Sequence, residues 1–291
     1  MSRTEHLAAY RGWKQLLLTG AVLALLAARV PLYWSTGEFV AEDGWVFFAG
    51  AWNQAFPGSL LQPYAGYFHM LPRLLAELCM LLPVILQPYA YAALGLGLNA
   101  VILAAFYLPA FRRVLPSDAT RLGLVVLLAL APHAQNLGLL LGLHWYLAFA
   151  LCLLLLVPPP PGPARRLALG AAVLLCVWSS PSTLVLTPFV LLAAWRGRDR
   201  AERLRFGFTG GALLVVAILV LWLRLGHAER TGSFQWAELA AASDRLVLRG
   251  WLGAGLLGPR PAGFLAAQSP LLLDAFALVV AGAVAAALWR N

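Results

Sequence analysis

The feature that most constrains this chain is a series of long apolar runs separated by short clusters of arginine. Only 11% of its residues are charged, whereas soluble domains carry about 25%. A run of about 20 apolar residues can cross a bilayer as a helix that satisfies its own backbone hydrogen bonds. We therefore predict an all-α fold, a polytopic transmembrane helical bundle. The runs are Leu16–Tyr33, Tyr89–Phe111, Leu122–Val157, Leu167–Trp195, Phe206–Leu225 and Leu271–Trp289.

The arginine clusters indicate how these runs are threaded, because short cytoplasmic loops of membrane proteins are enriched in Lys and Arg. Placing the N-terminus and the clusters Arg112–Arg121, Arg165–Arg166 and Arg196–Arg205 in the cytoplasm puts most of the 21 basic residues there. The net charge of +9 then reports membrane topology and not a nucleic-acid partner. The pattern predicts about eight crossings with both termini cytoplasmic. We expect one transmembrane domain over residues 1–291, with residues 1–15 as its cytoplasmic N-terminus and residues 35–87 and 227–270 as its first and last outer loops.

This threading requires short or broken helices in the middle of the chain. The run Leu122–Val157 has to cross twice, and the run Leu167–Trp195 has to go out and back. We predict a break in the second run at Ser179–Ser182, since broken helices are tolerated where they line a protein cavity. For Tyr67–Leu86 we predict a helix lying in the outer membrane interface, with its arginine and glutamate paired four residues apart.

An acidic pair, Glu42 and Asp43, lies in the first outer loop, in a stretch without lysine or arginine from Pro31 to Pro72. Charged groups beside a bilayer are costly and tend to be functional. A carboxylate here could act as a general base or hold a divalent metal such as Mg²⁺ or Mn²⁺. The alternative is a helix N-cap. Neighbouring helical residues point about 100° apart, so only one acid can enter a given site.

Further polar residues of the predicted outer loops are candidates for substrate binding. One segment contains Tyr64, Tyr67, His69 and Arg73. Its arginine could bind a phosphate through two parallel hydrogen bonds. The alternative is that these side chains only anchor the segment among lipid headgroups.

Two other groups of candidates lie further along the chain. His133, Asn136 and His144 flank the predicted outer turn between the third and fourth crossings, without the cysteine partners of a typical zinc site. Arg245 and Arg249 share one face of a predicted amphipathic helix in the last outer loop. They are candidates for binding a lipid phosphate, or they anchor the loop to headgroups.

Together these features resemble the GT-C superfamily of integral-membrane glycosyltransferases, which includes the protein O-mannosyltransferases and the aminoarabinose transferases. Glu42-Asp43 lies where that family has its catalytic acid. Phe68–Leu75 is similar to the family's His/Pro-containing segment at the second in-plane helix, and Ser179–Pro188 to its small-residue turn before an apolar helix. The chain departs from the family in having Ser180 where a lysine often stands, and in lacking a His-Pro-Pro sequence.

The resemblance implies an inverting transferase that uses a polyprenyl-phosphate-linked sugar and an acceptor lipid, glycan or protein outside the cytoplasm. Asp43 would be the base, and the outer arginines would stabilise the departing phosphate. The high Ala, Leu and Arg content indicates a bacterium, and we expect a multi-pass protein of its plasma (inner) membrane. The alternatives are a lipid-linked glycan flippase or transporter, which needs polar residues at mid-membrane depth, and a non-catalytic scaffold of a cell-envelope complex.

Overall fold

The computed structural model describes residues 3–130, 138–157, 162–197 and 199–231. These residues form helices and contain no strand, so the predicted all-α class is confirmed for this part of the chain. Residues 1–224 form one compact unit; residues 225–291 form a second, described only where its chain ends the last helix. The α-helices are α1 (Arg3–Arg29), α2 (Pro31–Ser35), α3 (Ala49–Asn53), α4 (Met70–Cys79), α5 (Gln87–Ala105), α6 (Asp118–Ala129), α7 (Leu143–Leu156), α8 (Pro163–Ser179), α9 (Thr187–Arg196) and α10 (Arg200–Thr231).

Short π-helical and 3₁₀-helical segments connect the α-helices, and several α-helices begin at or next to a proline. A π-helix covers Asp43–Phe48 and runs directly into α3. Proline lies in the first turn of α5, α8 and α9, where its missing N–H costs nothing. The 3₁₀ turns are Gly58–Leu61, Val84–Leu86, Pro109–Arg113 and Pro181–Leu186.

Within the described residues, two helices are long and apolar enough to cross a membrane, Val84–Ala105 and Arg200–Leu223. A third span is present if the bent pair Pro163–Ser179 and Pro181–Arg196 crosses as one. These helices indicate that the chain associates with a membrane. They do not confirm the predicted eight crossings. The long helix α1 is not among the helices found both long and apolar enough, α6 and α7 are shorter, and Leu271–Trp289 lies outside the described residues.

The predicted break in the fourth apolar run, Leu167–Trp195, is confirmed at Ser179–Pro181, where the two helices meet at 110°. Proline has no N–H to continue the α8 ladder and disfavours the helical conformation of the residue before it. Ser180 accordingly has an extended backbone, with φ −137° and ψ 110°. The Thr183 hydroxyl donates to the Ser180 carbonyl at 2.6 Å, which supplies a new partner at the turn.

Helix α5 is central to the packing of the first unit and contacts α1, α4, α6 and α7. One apolar cluster surrounds its first half with residues of α4, α7, α8 and α10. A second cluster surrounds its second half with residues of α1 and α6. At Gly95 the backbone of α5 comes so close to the loop before α7 that a Cβ would lie 3.0 Å from the Gly138 carbonyl oxygen. This close approach brings the beginning of α7 against the acidic pair.

The predicted interfacial helix is shorter than Tyr67–Leu86, because it forms only over Met70–Cys79. Its predicted pair between Arg73 and Glu77 is wrong. The Glu77 carboxylate instead accepts a hydrogen bond from the Ser59 hydroxyl, and the Arg73 guanidinium lies over the Phe47 ring at 5.6 Å. Asp118, in contrast, pairs with both Arg112 and Arg121. Spacing of four residues permits an ion pair but does not require one, since each side chain also has partners in other segments.

Candidate functional site

Asp43 is buried at the N-terminus of α7, although it belongs to the π-helix about a hundred residues earlier. Its Oδ2 accepts a hydrogen bond from the Leu140 N–H at 3.0 Å, and its Oδ1 accepts one from the Leu141 N–H at 3.3 Å. Leu140 and Leu141 lie in the turn before Gly142, the N-cap of α7, so the carboxylate is near the end of the helix where the dipole favours a negative charge. Asp43 therefore links two distant segments and does not cap its own helix with its side chain.

Burial raises the pKa of the Asp43 carboxyl to about 7, because the charged form loses its hydration. The two backbone hydrogen bonds oppose part of this shift, and the neighbouring charge of Glu42 adds to it. Beside the carboxyl is a cavity of about 10 Å³, which is close to the space that one water needs. A carboxyl with this pKa can both accept and release a proton near neutral pH, as a general base must.

Glu42 points away from Asp43 and toward Tyr64. The Tyr64 hydroxyl donates to Glu42 Oε1 at 3.4 Å, and the Tyr64 ring meets the Trp45 ring edge-on at 5.4 Å between centroids. Glu42 is half-buried, so it is more accessible than its neighbour. The two acids therefore lie in different environments: Asp43 is buried between helices, and Glu42 lies beside an open cleft.

That cleft has a volume of about 280 Å³ and is formed by the chain between the π-helix and α4. Trp45 and Tyr64 supply aromatic rings, and Asn53, Gln54 and Gln62 supply side-chain amides. Arg73 forms its buried floor with 2% of its surface exposed, whereas Asn53 and Gln62 are exposed at the rim. The cleft therefore combines hydrogen-bonding groups and ring faces with one deep cation.

Four predicted substrate-binding residues lie close together: His69, Tyr64, Tyr67 and His144. The His69 ring lies 4.1 Å from the Tyr67 ring and 5.8 Å from the Tyr64 ring, and Tyr67 also faces His144 at 6.3 Å. Burial lowers the pKa of His69 to about 3, and the charges of His144 and Arg73 act in the same direction. Neither ring nitrogen makes a hydrogen bond of normal geometry, although the Tyr64 backbone opposes part of the shift. His69 is thus a neutral imidazole at physiological pH.

The break in the α8–α9 segment contacts this histidine cluster. The Leu71 N–H donates to Ser179 Oγ at 2.7 Å, and the Ser180 hydroxyl donates to the His144 carbonyl at 2.5 Å. The Phe68 and Trp178 rings pack with centroids 5.7 Å apart. The serines thus join the beginnings of α4 and α7. We identified their break from the sequence but not their contacts with the site.

The cleft amides were also missed, although their signal was present. Gln62 lies in the same short segment as the predicted tyrosines, and Asn53-Gln54 follows the aromatic stretch after the acidic pair. Polar amides in such an apolar sequence are as informative as charges.

The other predicted site residues, His133, Asn136, Arg245 and Arg249, lie outside the described residues. Among the residues that are described, no group of three or more His, Cys, Asp and Glu side chains could hold a metal ion. No protein-family model, no curated protein and no solved structure matches this chain.

Proposed function

We propose that the protein is a membrane glycosyltransferase that moves a sugar from a polyprenyl-phosphate donor to an acceptor on the outer face of the membrane. The observation that supports this proposal is the buried Asp43, whose pKa is raised to about 7 in a segment that also forms a polar cleft. Perturbed carboxyls beside concave sites are favoured positions for acid–base chemistry.

In the proposed reaction, a carboxylate of the acidic pair takes the proton from an acceptor hydroxyl or amine. The acceptor atom forms a bond with the anomeric carbon, and the bond from that carbon to the phosphate oxygen breaks with its electron pair. The leaving lipid phosphate gains negative charge, which a cation stabilises. Asp43 has the suitable pKa, whereas Glu42 has the better access; Arg245 and Arg249 are the proposed cations of the last outer loop.

The activity test compares the two acids in proteoliposomes, with a radiolabelled polyprenyl-phosphate sugar and a mixture of envelope acceptors. Asp43→Asn keeps the size and removes the base, so it should reduce transfer by at least about 100-fold, within the range of general-base catalysis. Asp199→Asn is the control, because Asp199 is exposed and far along the chain. Loss in Glu42→Gln alone would move the base to Glu42; full activity in both variants would refute carboxylate catalysis.

We also propose eight crossings with both termini in the cytoplasm of a bacterial plasma membrane. Single cysteines at the exposed Ala55 and Ala119 test this topology, after replacement of Cys79, Cys152 and Cys176. A membrane-impermeant thiol reagent should label Ala55→Cys from outside the cell and leave Ala119→Cys unlabelled. Labelling of both from the same side would refute the proposed threading.

A second function, a non-catalytic scaffold in a cell-envelope complex, is favoured by the contacts of Asp43. Both of its oxygens accept backbone hydrogen bonds, which is what a structural link requires. On this proposal Asp43→Asn would lower stability, and no variant of either acid would change any transfer activity.

A further inference from the structure

We propose that the cleft between the π-helix and α4 binds a sugar that carries one negative charge, of the uronic-acid class. The site rests on the buried Arg73 together with the amides and aromatic rings around it. Its role as the acceptor or donor-sugar pocket rests on the proposed glycosyl transfer, but the binding itself does not.

The buried Arg73 guanidinium has few hydrogen-bond partners. Among the described residues, the guanidinium makes one hydrogen-bond contact, from Nη1 to Gln62 Oε1 at 3.5 Å, which is longer than an ordinary hydrogen bond. Its Nε has no partner among the same residues. Arginine presents five N–H donors, and a buried charge is costly unless it is paired. An oxyanion in the cleft would supply both the missing charge and the missing acceptors.

The space beside the guanidinium is kept open. A Cβ at Gly50 would lie 3.0 Å from Arg73 Nη1 and 3.5 Å from Gln62 Oε1. The missing side chain at this position allows α3 to pass close to the arginine without filling the cleft floor. A planar carboxylate could then meet the guanidinium with two parallel hydrogen bonds.

The cleft also has groups for the rest of the ligand. Asn53, Gln54 and Gln62 provide both donors and acceptors, which suit the hydroxyls of a sugar ring. Trp45 and Tyr64 stand at 83° to each other and offer electron-rich ring faces to polarised C–H groups. The volume of about 280 Å³ is just below the range of drug-sized pockets, so it suits a single ring better than a longer glycan.

The charges in and around the cleft favour a ligand with a single negative charge. Of the cleft-lining residues in the described ranges, Arg73 is the one with a basic side chain, and Glu42 lies beyond Tyr64 at the edge of the cleft. A carboxylate with one charge is matched by one guanidinium. A phosphate monoester carries close to two charges at neutral pH and would be repelled by Glu42. We therefore favour a carboxylate over a terminal phosphate.

The test measures binding by calorimetry, with the full-length protein in nanodiscs of zwitterionic lipid. The probes are glucuronate, its methyl ester, glucose and glucose 1-phosphate. We expect glucuronate to bind at least tenfold more tightly than the ester and glucose, which lack the charge, and more tightly than glucose 1-phosphate. Equal binding of glucuronate and its ester, tighter binding of glucose 1-phosphate, or no binding of glucuronate would each overturn the proposal.

Three variants assign the binding to this cleft. Arg73→Lys keeps the positive charge but loses the two parallel N–H donors of the guanidinium. Gly50→Ala places a methyl group against the guanidinium. Each variant should therefore weaken glucuronate binding at least tenfold. Arg112→Lys, at an exposed ion pair, is the control and should bind normally. Unchanged binding in both cleft variants would overturn the assignment. The calorimetric experiment does not depend on sugar transfer. If the protein binds glucuronate but is inactive in the proteoliposome transfer assay, the proposed glycosyltransferase function is refuted and the binding proposal stands.

Discussion

Arg73 and Arg121 are two nearly completely buried arginines in the same compact unit, and they differ in their partners. Their exposed fractions are 2% and 1%, and each guanidinium lies over an aromatic ring, at 5.6 Å from Phe47 and 5.2 Å from Tyr107. Arg121 Nη1 donates to the Tyr107 carbonyl at 2.7 Å and to the Leu108 carbonyl at 2.8 Å, and its Nη2 pairs with Asp118. The Arg73 guanidinium, within the described ranges, has one hydrogen bond, its long contact with Gln62.

This difference shows that burial and ring contacts do not identify the role of an arginine, whereas an account of its hydrogen bonds does. Both residues leave Nε unpartnered, so the distinction lies in the terminal nitrogens. Arg121 uses them to donate to two backbone carbonyls just after α5, those of Tyr107 and Leu108, which is a structural role. The terminal nitrogens of Arg73 face a cleft, which is an arrangement suited to a ligand.

The two ends of α7 are hydrogen-bonded by side chains of opposite charge. The Asp43 carboxylate accepts N–H groups just before the helix begins, and Arg113 and Arg205 donate to the carbonyls of Leu156 and Val157 where it ends. Both arrangements complement the helix dipole. The arginines that the positive-inside rule assigns to topology therefore also satisfy helix ends.

The largest effect is expected for Arg121→Met, which removes the donor to two carbonyls and the buried one of the two arginines paired with Asp118, while keeping most of the side-chain volume. Hydrogen bonds from a charged group contribute about 1.5–3 kcal/mol each, and Arg121 makes two with backbone carbonyls. Its pair with the half-exposed Asp118 adds little, because solvent screens it. Unfolding by SDS in mixed micelles measures the loss. Arg112→Met is the control, because it removes the exposed partner of the same Asp118 and should cost much less. A loss no larger than that of the control would remove the structural role of Arg121.

The next effect compares Asp43 and His69, whose pKa values are shifted in opposite directions, through the pH dependence of stability. The raised pKa of Asp43 means that the folded state holds this proton more tightly, so its contribution to stability is present at low pH and is lost as pH rises from about 4 to about 7. The lowered pKa of His69 has the opposite sign, and its contribution is lost as pH falls from about 6.5 toward 3. The two contributions partly cancel in the wild type.

We therefore compare variants with the wild type at pH 7.5 and pH 5. Relative to the wild type, Asp43→Asn should lose roughly 2–3 kcal/mol of unfolding free energy on acidification, whereas His69→Gln should gain roughly 2 kcal/mol. The same SDS titration at both pH values gives these differences. Parallel pH profiles for wild type and Asp43→Asn would show that Asp43 titrates normally and would weaken its proposed catalytic role.

Part of this molecule was predictable because it depends on local chemistry. Apolar runs predict helices, and the Ser-Ser-Pro sequence predicts the break at Ser180, since proline excludes the helical ladder wherever it is placed. Tyr64, Tyr67, His69 and Arg73 were expected together because they lie within ten consecutive residues. Each of these inferences needs only neighbouring residues.

The rest depends on contacts between distant segments. Nothing near Asp43 in the sequence indicates that its partners are the N–H groups of Leu140 and Leu141. These two residues follow Gly138, whose carbonyl lies close to α5 at Gly95. The direction of Arg73 was mispredicted for the same reason, since Gly50 and Phe47 of another segment provide its surroundings. The number of crossings is a property of the whole threading and not of any one run.

A moderate effect is expected for Ser179→Ala, which tests whether the site region is held together by well-formed hydrogen bonds. Ser179 is fully buried, and its hydroxyl oxygen accepts the Leu71 N–H at 2.7 Å. The variant leaves that N–H without a partner, at a cost of about 1–3 kcal/mol. Ser182→Ala is the matched control at the same break. Equal stability of the two variants would indicate that Ser179 does not fasten α4 to α8.

The smallest effect on stability is expected for Arg73→Gln, and it decides the comparison with Arg121. Removing Arg73 forfeits a ring contact and one long hydrogen bond, but it also removes a buried charge that lacks a counter-ion. These terms oppose each other, so the unfolding free energy should change by less than about 1 kcal/mol. The same variant should lose glucuronate binding at least tenfold, because glutamine cannot supply the charge. A loss of stability as large as that of Arg121→Met would show that Arg73 is a structural arginine, and that its unpaired donors are not kept for a ligand.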